Sequence, residues 1–525
     1  MARSLLVRLD APSATVASRL GDLGAMAQPD GSWWFPLPVT ADGASGVRVT
    51  LADEGAHRVL SARPRIAAHV PFFAWAMGPL LYLAAKRRAR WVIASLAAAD
   101  AGTAAPSRPR PVLGLPHVPF DALQIRMLAT AAAATATASF GAALFGQHGQ
   151  NVADAFGASD AALGNAFAVS RLGVLVALVA TALSDRRGRR RLVVIAVAGI
   201  ALANLASAFA PNLVVFTTLQ MFVRGFVNTA AVVAGIAAIE EAPEGARAYA
   251  ASMLGLAGGF GYSFAIITLP FGDLGADAWR IPFLLSGATV LLVAALARQL
   301  PESSRYERLA AVELPRGRLR AVFRGRYGRR FALLGAVAYL TNVFSAPSAQ
   351  LANKYLADVH DFSDTKIALF RTITLGVPGL VGLVIGGRLA ESRGRRPVAA
   401  GFLVVATIVE MAFFLGTGAV LWLSSSVAIV AASASGIALG TLSPELFPTE
   451  VRGTSNAFLL VLGVLGSVTG LVLAGNLSDP LGGLGRSIAL CGVAAIVAAV
   501  VFVPRLPESR GHDLDDVSPS GAPTT

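Results

Sequence analysis

Two arginine-rich turns set between long apolar runs constrain this chain more than any other feature. The first is Leu183-Ser184-Asp185-Arg186-Arg187-Gly188-Arg189-Arg190-Arg191. A looser copy, Gly387-Arg388-Leu389-Ala390-Glu391-Ser392-Arg393-Gly394-Arg395-Arg396, follows about 206 residues later. An acid, a glycine and clustered arginines between two apolar segments describe a tight helical hairpin at a membrane surface. Positive charge in short loops stays on the cytoplasmic side, so the arginines also fix the sidedness.

Composition agrees with a membrane-embedded chain. Of 525 residues, 55% are hydrophobic and only 14% charged, and the mean hydropathy is +0.62. A soluble protein of this length needs more charge to cover its surface. The formal charge of +13 could suggest a nucleic-acid partner. The arginines lie in short loops between apolar runs instead, so no nucleic acid is expected. All but three of the 44 basic residues are arginine, a skew that suggests a bacterial, GC-rich source. Cys491 is the only cysteine, which excludes an intrachain disulfide and a cysteine-rich metal site. The apolar Ser4–Val7 piece is too short for a signal peptide.

Hydropathy places twelve spans at 123–146, 161–183, 191–210, 213–239, 247–270, 280–299, 331–355, 366–389, 397–416, 419–441, 453–475 and 485–503. Each can cross the roughly 30 Å of hydrocarbon. Loops 147–160, 272–278 and 476–485 carry no Lys or Arg, whereas 186–191, 305–330 and 388–396 are dense in Arg. Both termini are therefore expected in the cytoplasm of a plasma (inner) membrane protein.

Residues 1–100 read differently. Ser4–Leu9, Ser32–Val39, Val47–Ala52 and Arg58–Ile66 have strand character, and Pro12–Leu23 has helical spacing. They form a small cytoplasmic α+β module. Ile66–Ala85 is long enough to span a membrane. Pro71, Gly78 and Pro79 interrupt it and Lys86-Arg87-Arg88 follows, so a long helix on the strands or at the membrane surface is favoured. This order of strands before a long C-terminal helix resembles the START-like helix-grip fold of polyketide cyclases. Residues 101–121 form a linker, 122–300 and 331–504 two six-helix bundles, 301–330 a central cytoplasmic loop, and 505–525 a disordered tail.

Two more motifs are written twice. Glu240-x-x-Pro243-x-x-x-Arg247 recurs as Glu445-x-x-Pro448-x-x-x-Arg452, and Pro301-Glu302-Ser303 recurs as Pro507-Glu508-Ser509. Asp185 to Glu391, Glu240 to Glu445 and Pro301 to Pro507 all span 205 or 206 positions. Three motifs in one register indicate a duplicated six-span unit. On these motifs residues 122–510 resemble the major facilitator superfamily, in its sugar-porter-like branch. That resemblance implies an all-α polytopic membrane protein: twelve transmembrane helices in two pseudo-symmetric six-helix bundles facing a central cavity. It implies a secondary transporter working by alternating access, not an enzyme, acting as a monomer without cofactor or metal. It further implies that Asp185, Arg189, Glu240 and Arg247 in one half, and Glu391, Arg395, Glu445 and Arg452 in the other, form cytoplasmic latches that open each cycle. Partly solvated ion pairs, worth about 0–1 kcal/mol each, suit such a switch.

Polar residues inside spans are costly and tend to face a cavity. Arg171, Arg224, Asn228, Tyr262, Asn342, Gln350, Asn353, Arg371 and Glu410 are the candidates. Arg224 lies in the outer half of its span, where many family members carry an arginine, so the resemblance implies a substrate or coupling role. Glu410 is the one acid deep within a predicted span and could exchange a proton. The alternative for each is an interhelical bond. The sugar porters' first-span Asp, seventh-span Gln pair and Gly-Pro-x-x-Trp are absent. With three intramembrane arginines, a small organic anion is the expected solute and the proton the expected coupling ion. A drug or metabolite exporter, a non-transporting sensor signalling through the N-terminal module, and an enzyme fused to a carrier are the alternatives.

Overall fold

The computed structural model describes residues 5–37, 45–54, 57–66, 70–109, 112, 115–116, 118–175, 189–243, 246–301, 325–447 and 449–508. The first arginine hairpin around Asp185, most of the central loop and the tail lie outside these residues.

The N-terminal module is a five-stranded antiparallel sheet in the order β1-β5-β4-β3-β2. Its strands are β1 (Leu5–Leu9), β2 (Met26–Ala27), β3 (Trp33–Pro36), β4 (Gly46–Glu54) and β5 (His57–Arg65). Alternation turns Leu9, Phe35, Val47, Val49, Leu60 and Ala62 to one buried face. Helix α1 (Ser13–Asp22) covers that face with Val16 and Leu20, and α2 (Ala74–Asp100) with Leu81, Ala85, Ala89, Val92 and Leu96. The α2 residues recur every three or four positions, as one helical stripe requires. Asp100 at its end accepts hydrogen bonds from the Asp10 and Ala11 amides, at 2.8 and 3.0 Å, which ties α2 back to β1. Residues 74–85 are thus the start of one helix, α2, whose stripe from Leu81 to Leu96 packs on the sheet.

Among the described residues, eleven helices are long and apolar enough to cross a membrane. Those in the first half are α3 (Ala122–Ala155), α5 (Arg189–Ser207), α6 (Leu213–Glu241) and α7 (Arg247–Ile267), with α8 (Arg280–Ala288) and α9 (Val290–Gln299) forming one broken span. The expected span at 161–183 is seen as α4 (Asp160–Arg171), and its continuation lies outside the described residues. The second half holds α10 (Gly325–His360), α11 (Asp364–Arg393), α12 (Arg395–Leu415), α13 (Ala419–Glu445), α14 (Thr449–Asn476) and α15 (Leu484–Val497). Their starts are capped where the sequence allows it. Asp121 and Gln124 form a capping box on α3, and Ser159, Asn212 and Ser363 accept a backbone N–H on α4, α6 and α11. Large apolar side chains such as Val214 (75% exposed) and Leu291 (79%) face outward. In water that surface would be unstable, and in lipid it is matched.

The duplication is visible in the packing. Gly261 on α7 meets the Ala136 carbonyl of α3, and Gly466 on α14 meets the Tyr339 carbonyl of α10; a Cβ at either would collide with that backbone. The two glycines are 205 positions apart, the offset of the sequence motifs. Small residues let backbones approach where lipid supplies no hydrophobic drive for helix association. The aromatic cores repeat too. Phe145, Phe167 and Phe216 cluster in one half, and Phe370, Phe413 and Trp422 in the other.

Candidate functional site: a buried polar chain between the two halves

The two halves meet at one end, formed by the basic-free loops; the second arginine-rich turn, at 388–396, lies at the other. At the meeting end Asp364, at the start of α11, accepts from Gln150 Nε2 (2.6 Å) and Asn151 Nδ2 (2.5 Å) of α3. Asp273 accepts from the Asp364 and Thr365 amides, both 2.9 Å, and from Thr365 Oγ1 at 2.6 Å. In the mirrored position the Ser478 hydroxyl donates to Asp160 Oδ2 at 2.7 Å. Lys354 Nζ lies 3.6 Å from Asp160 and 3.9 Å from Asp154. Below these ties α4 and α14 touch through backbone: a Cβ on Gly164 would lie 2.6 Å from the Leu471 carbonyl oxygen and 3.1 Å from Gly475 Cα. This end of the molecule is shut.

Beneath it runs a chain of buried polar groups. Asn353 Nδ2 on α10 donates to the Gln147 carbonyl (2.9 Å) and to its Oε1 (3.0 Å) on α3. These residues are 206 positions apart, so each is the other's counterpart in the repeat. Equivalent residues can touch only where the pseudo-twofold axis passes between them. The chain continues both ways. Gln147 Nε2 donates to the Tyr262 hydroxyl (2.9 Å) on α7, and Arg371 Nε on α11 donates to Asn353 Oδ1 (2.9 Å). Gln147, Asn353 and Arg371 are buried, whereas the Tyr262 side is partly open. Arg371 Nη2 has no hydrogen-bond partner among the described residues. Glu410 on α12 is close enough to Arg371 to attract it electrostatically, and it accepts a hydrogen bond from the Ser348 hydroxyl. A half-satisfied guanidinium beside a carboxyl in a low-dielectric interior is costly unless an anion completes it.

Of the sequence candidates, the structure brings Tyr262, Asn353, Arg371 and Glu410 into this group. Gln350 is buried one turn away with Oε1 unpartnered. Asn342 is elsewhere: it accepts from Ser467 Oγ at 3.2 Å and donates to the Ala338 carbonyl at 2.8 Å, bridging α10 to α14. Arg171 and Arg224 lie near each other in the first half and make no described hydrogen bond to the central chain. Asn228, on α6, is half-buried. Gln147, Lys354, Asp364 and Asp273 were not among the candidates. The repeat offset applied to Asn353 would have pointed to Gln147.

At the hairpin end, Asp185 and the side chains of Arg189, Glu445 and Arg452 lie outside the described residues. Glu391 and Arg247 are exposed, and Glu240 and Arg395 half-buried. What is described there is a helix cap. Glu508, in the second Pro-Glu-Ser copy, accepts from the Arg395 and Arg396 amides, each at 3.0 Å. Gly394 precedes them at φ 103°, a conformation that favours glycine, and a Cβ there would lie 2.9 Å from Glu508 Oε2. A carboxylate at a helix N-terminus satisfies orphan amides and complements the dipole. Glu508→Ala should therefore cost about 1 kcal/mol, read as a lowered Tm of the purified protein; an unchanged Tm would remove the cap from the stability of this end.

Two related halves, shut at one end over a buried polar chain on their axis, are the architecture of a carrier that works between two membrane faces, a multi-pass membrane transporter. The chain belongs to the Major Facilitator Superfamily, whose family model matches residues 123–470. Among curated proteins it is 29% identical over 380 residues to a probable 4-methylmuconolactone transporter of Cupriavidus pinatubonensis, covering 67% of this chain and 85% of that one. It is 25% identical over 415 residues to a gallate transporter of Pseudomonas putida, covering 71% and 88%. Among solved structures, the inward-open xylose transporter XylE from E. coli superposes with a TM-score of 0.61 at 19% identity, over 75% of this chain and 99% of that one.

Proposed function

We propose that this protein carries a small carboxylate-bearing organic solute across the plasma membrane together with a proton, by alternating access, with both termini in the cytoplasm. The observation that carries the reading is Arg371: a buried guanidinium, oriented by Asn353 and left with one amino group free, on the axis where the halves meet. A carboxylate is its natural complement, because the guanidinium fork matches it geometrically and in charge. The Tyr262 hydroxyl supplies a nearby polar contact for a ring-bearing solute. The relatives named for gallate and 4-methylmuconolactone support this class of solute.

Glu410 provides the coupling. Ionised, it competes with the solute for Arg371. Protonated, it gives up that competition, and its partner Ser348 holds the neutral carboxyl in place. Solute anion and proton then favour each other's binding, the reciprocity that symport needs. With the basic-free loops outside, the shut end is the external one, and the described state faces the cytoplasm. In this reading the hairpin-end residues Asp185, Arg189, Glu240, Arg247, Glu391, Arg395, Glu445 and Arg452 latch the opposite state.

Proteoliposome flux tests it. A pH gradient with the outside more acidic than the vesicle interior should drive accumulation of gallate or another aromatic carboxylate, and no gradient-driven flux of any such acid would sink the proposal. Glu410→Gln should lose gradient-driven accumulation while retaining solute exchange at equal pH. If Glu410→Gln still concentrates solute in response to pH, the proton travels by another route.

A further inference from the structure

The N-terminal module touches the membrane part through α2, and the contact encloses a cavity. The first turns of α2 reach past the sheet and lie against α3 and α7. Trp75 packs on Phe260, ring centroids 6.1 Å apart, and Phe72 and Phe73 pack on the core of the first half. Between α2 and the two spans lies a cavity of about 360 Å³, lined by Phe73, Leu80, Leu128, Ala132, Met253 and Leu256 among others. Its walls are almost wholly apolar; the Tyr249 hydroxyl is one exception. It sits beside the starts of α3 and α7, at the arginine-hairpin end. It shares no lining residue with the central polar chain.

The exposed side of α2 has a matching pattern. Trp75, Pro79 and Leu83 are exposed at four-residue spacing, and the next position in the series is Arg87, followed by Arg90. Trp75 is 66% exposed and Leu83 39%. From Trp75 to Arg87 the helix rises about 18 Å, similar to one leaflet with its head-group boundary. An apolar stripe that passes into cations along one helix face is the signature of a helix entering a bilayer from the cytoplasmic side. Arg88 is otherwise engaged, over the Trp91 ring at 4.9 Å. Lys86, Arg87 and Arg90 have no ion pair among the described residues, so their charge is available to an anion.

We propose that the groove between α2, α3 and α7 is a binding site for one anionic phospholipid. An acyl chain fills the apolar cavity, and the phosphate head group lies against Lys86, Arg87 and Arg90. The lipid would complete the joint between module and bundle. The inference is independent of the solute reading, since it uses none of the central residues. A zwitterionic lipid offers the same tails without the net charge, so the choice of lipid separates head-group recognition from simple greasiness.

The test is native mass spectrometry of the purified full-length protein, titrated with dioleoyl phosphatidylglycerol or dioleoyl phosphatidylcholine. The expected result is one phosphatidylglycerol retained at least tenfold more strongly than phosphatidylcholine. Ala76→Phe, which fills the cavity from α2, and the Arg87→Ala/Arg90→Ala double variant should each reduce that retention about tenfold. Equal retention of the two lipids, or variants that hold phosphatidylglycerol as the wild type does, would overturn the site. A wild-type measurement guards against misfolded variants: phosphatidylglycerol with a photoreactive tail should label peptides from 70–81, 116–132 and 249–260. Labelling confined to other spans would equally overturn it.

Discussion

Arg371→Ala should lower solute transport by about a hundred-fold or more while leaving the amount of protein in the membrane nearly unchanged. The side chain is buried and donates to Asn353 Oδ1, with Nη2 free. Hydrogen bonds to charged groups contribute about 1.5–3 kcal/mol each, and a bidentate carboxylate contact makes two of them. Losing both therefore corresponds to roughly two orders of magnitude in affinity or more. Arg371→Lys should rescue only part of this, because a point charge lacks the planar fork. The contrast between the variants separates binding from architecture. A structural arginine would be replaced by alanine at a cost in stability, with the KM of surviving protein unaltered. An unchanged KM for gallate or any transported acid would take Arg371 out of the site. The same assay applied to Arg224→Ala tests the rival arginine, which the family resemblance favours and which stands beside Arg171 rather than on the axis.

Gly164→Leu should arrest the cycle with the end that is shut here unable to close. No Cβ fits there without displacing backbone, since the facing atoms are the Leu471 carbonyl oxygen at 2.6 Å and Gly475 Cα at 3.1 Å. A leucine adds three further carbons in the same direction, and packed interfaces shift between discrete arrangements rather than deform smoothly. Transport should fall at least about fifty-fold. A cysteine reporter distinguishes a trapped carrier from a damaged one. In a Cys491→Ala background, Ser478→Cys is buried in the shut end and should react slowly with a membrane-impermeant maleimide. Adding Gly164→Leu should raise its labelling about tenfold. Slow labelling together with lost transport would mean the substitution acts by some means other than holding the end open.

The fold and the site differ in how far the chain disclosed them. The motif offset anticipates the duplicated halves, and the close contacts at Gly261 and Gly466 repeat it at the level of backbone packing. The strands of the N-terminal module were also legible, because alternation in Val47–Ala52 and Arg58–Ile66 marks a half-buried sheet. Within the ambiguous 66–85 stretch, the residues from Ala74 onward form the start of α2. Its length and hydropathy could not reveal that the helix would find a sheet to cover from Leu81 onward. Within the bundles the nine polar candidates looked alike in sequence. Asn342 and Asn353 sit on one helix, eleven positions apart, yet one bridges two helices of the same half and the other meets its repeat partner on the axis.

The sequence by itself determined the number of long apolar segments, their doubling and the clustering of arginine at one end. Each of those follows from a local quantity: the transfer free energy of about twenty residues, or the charge of a short loop. Tertiary structure alone decided which buried polar groups meet. The rotation of each helix about its axis is set by close packing against its neighbours, and hydropathy, nearly the same around these helices, leaves that rotation free. That is why Gln147, absent from any motif, stands at the centre of the site, and why Asn342 does not.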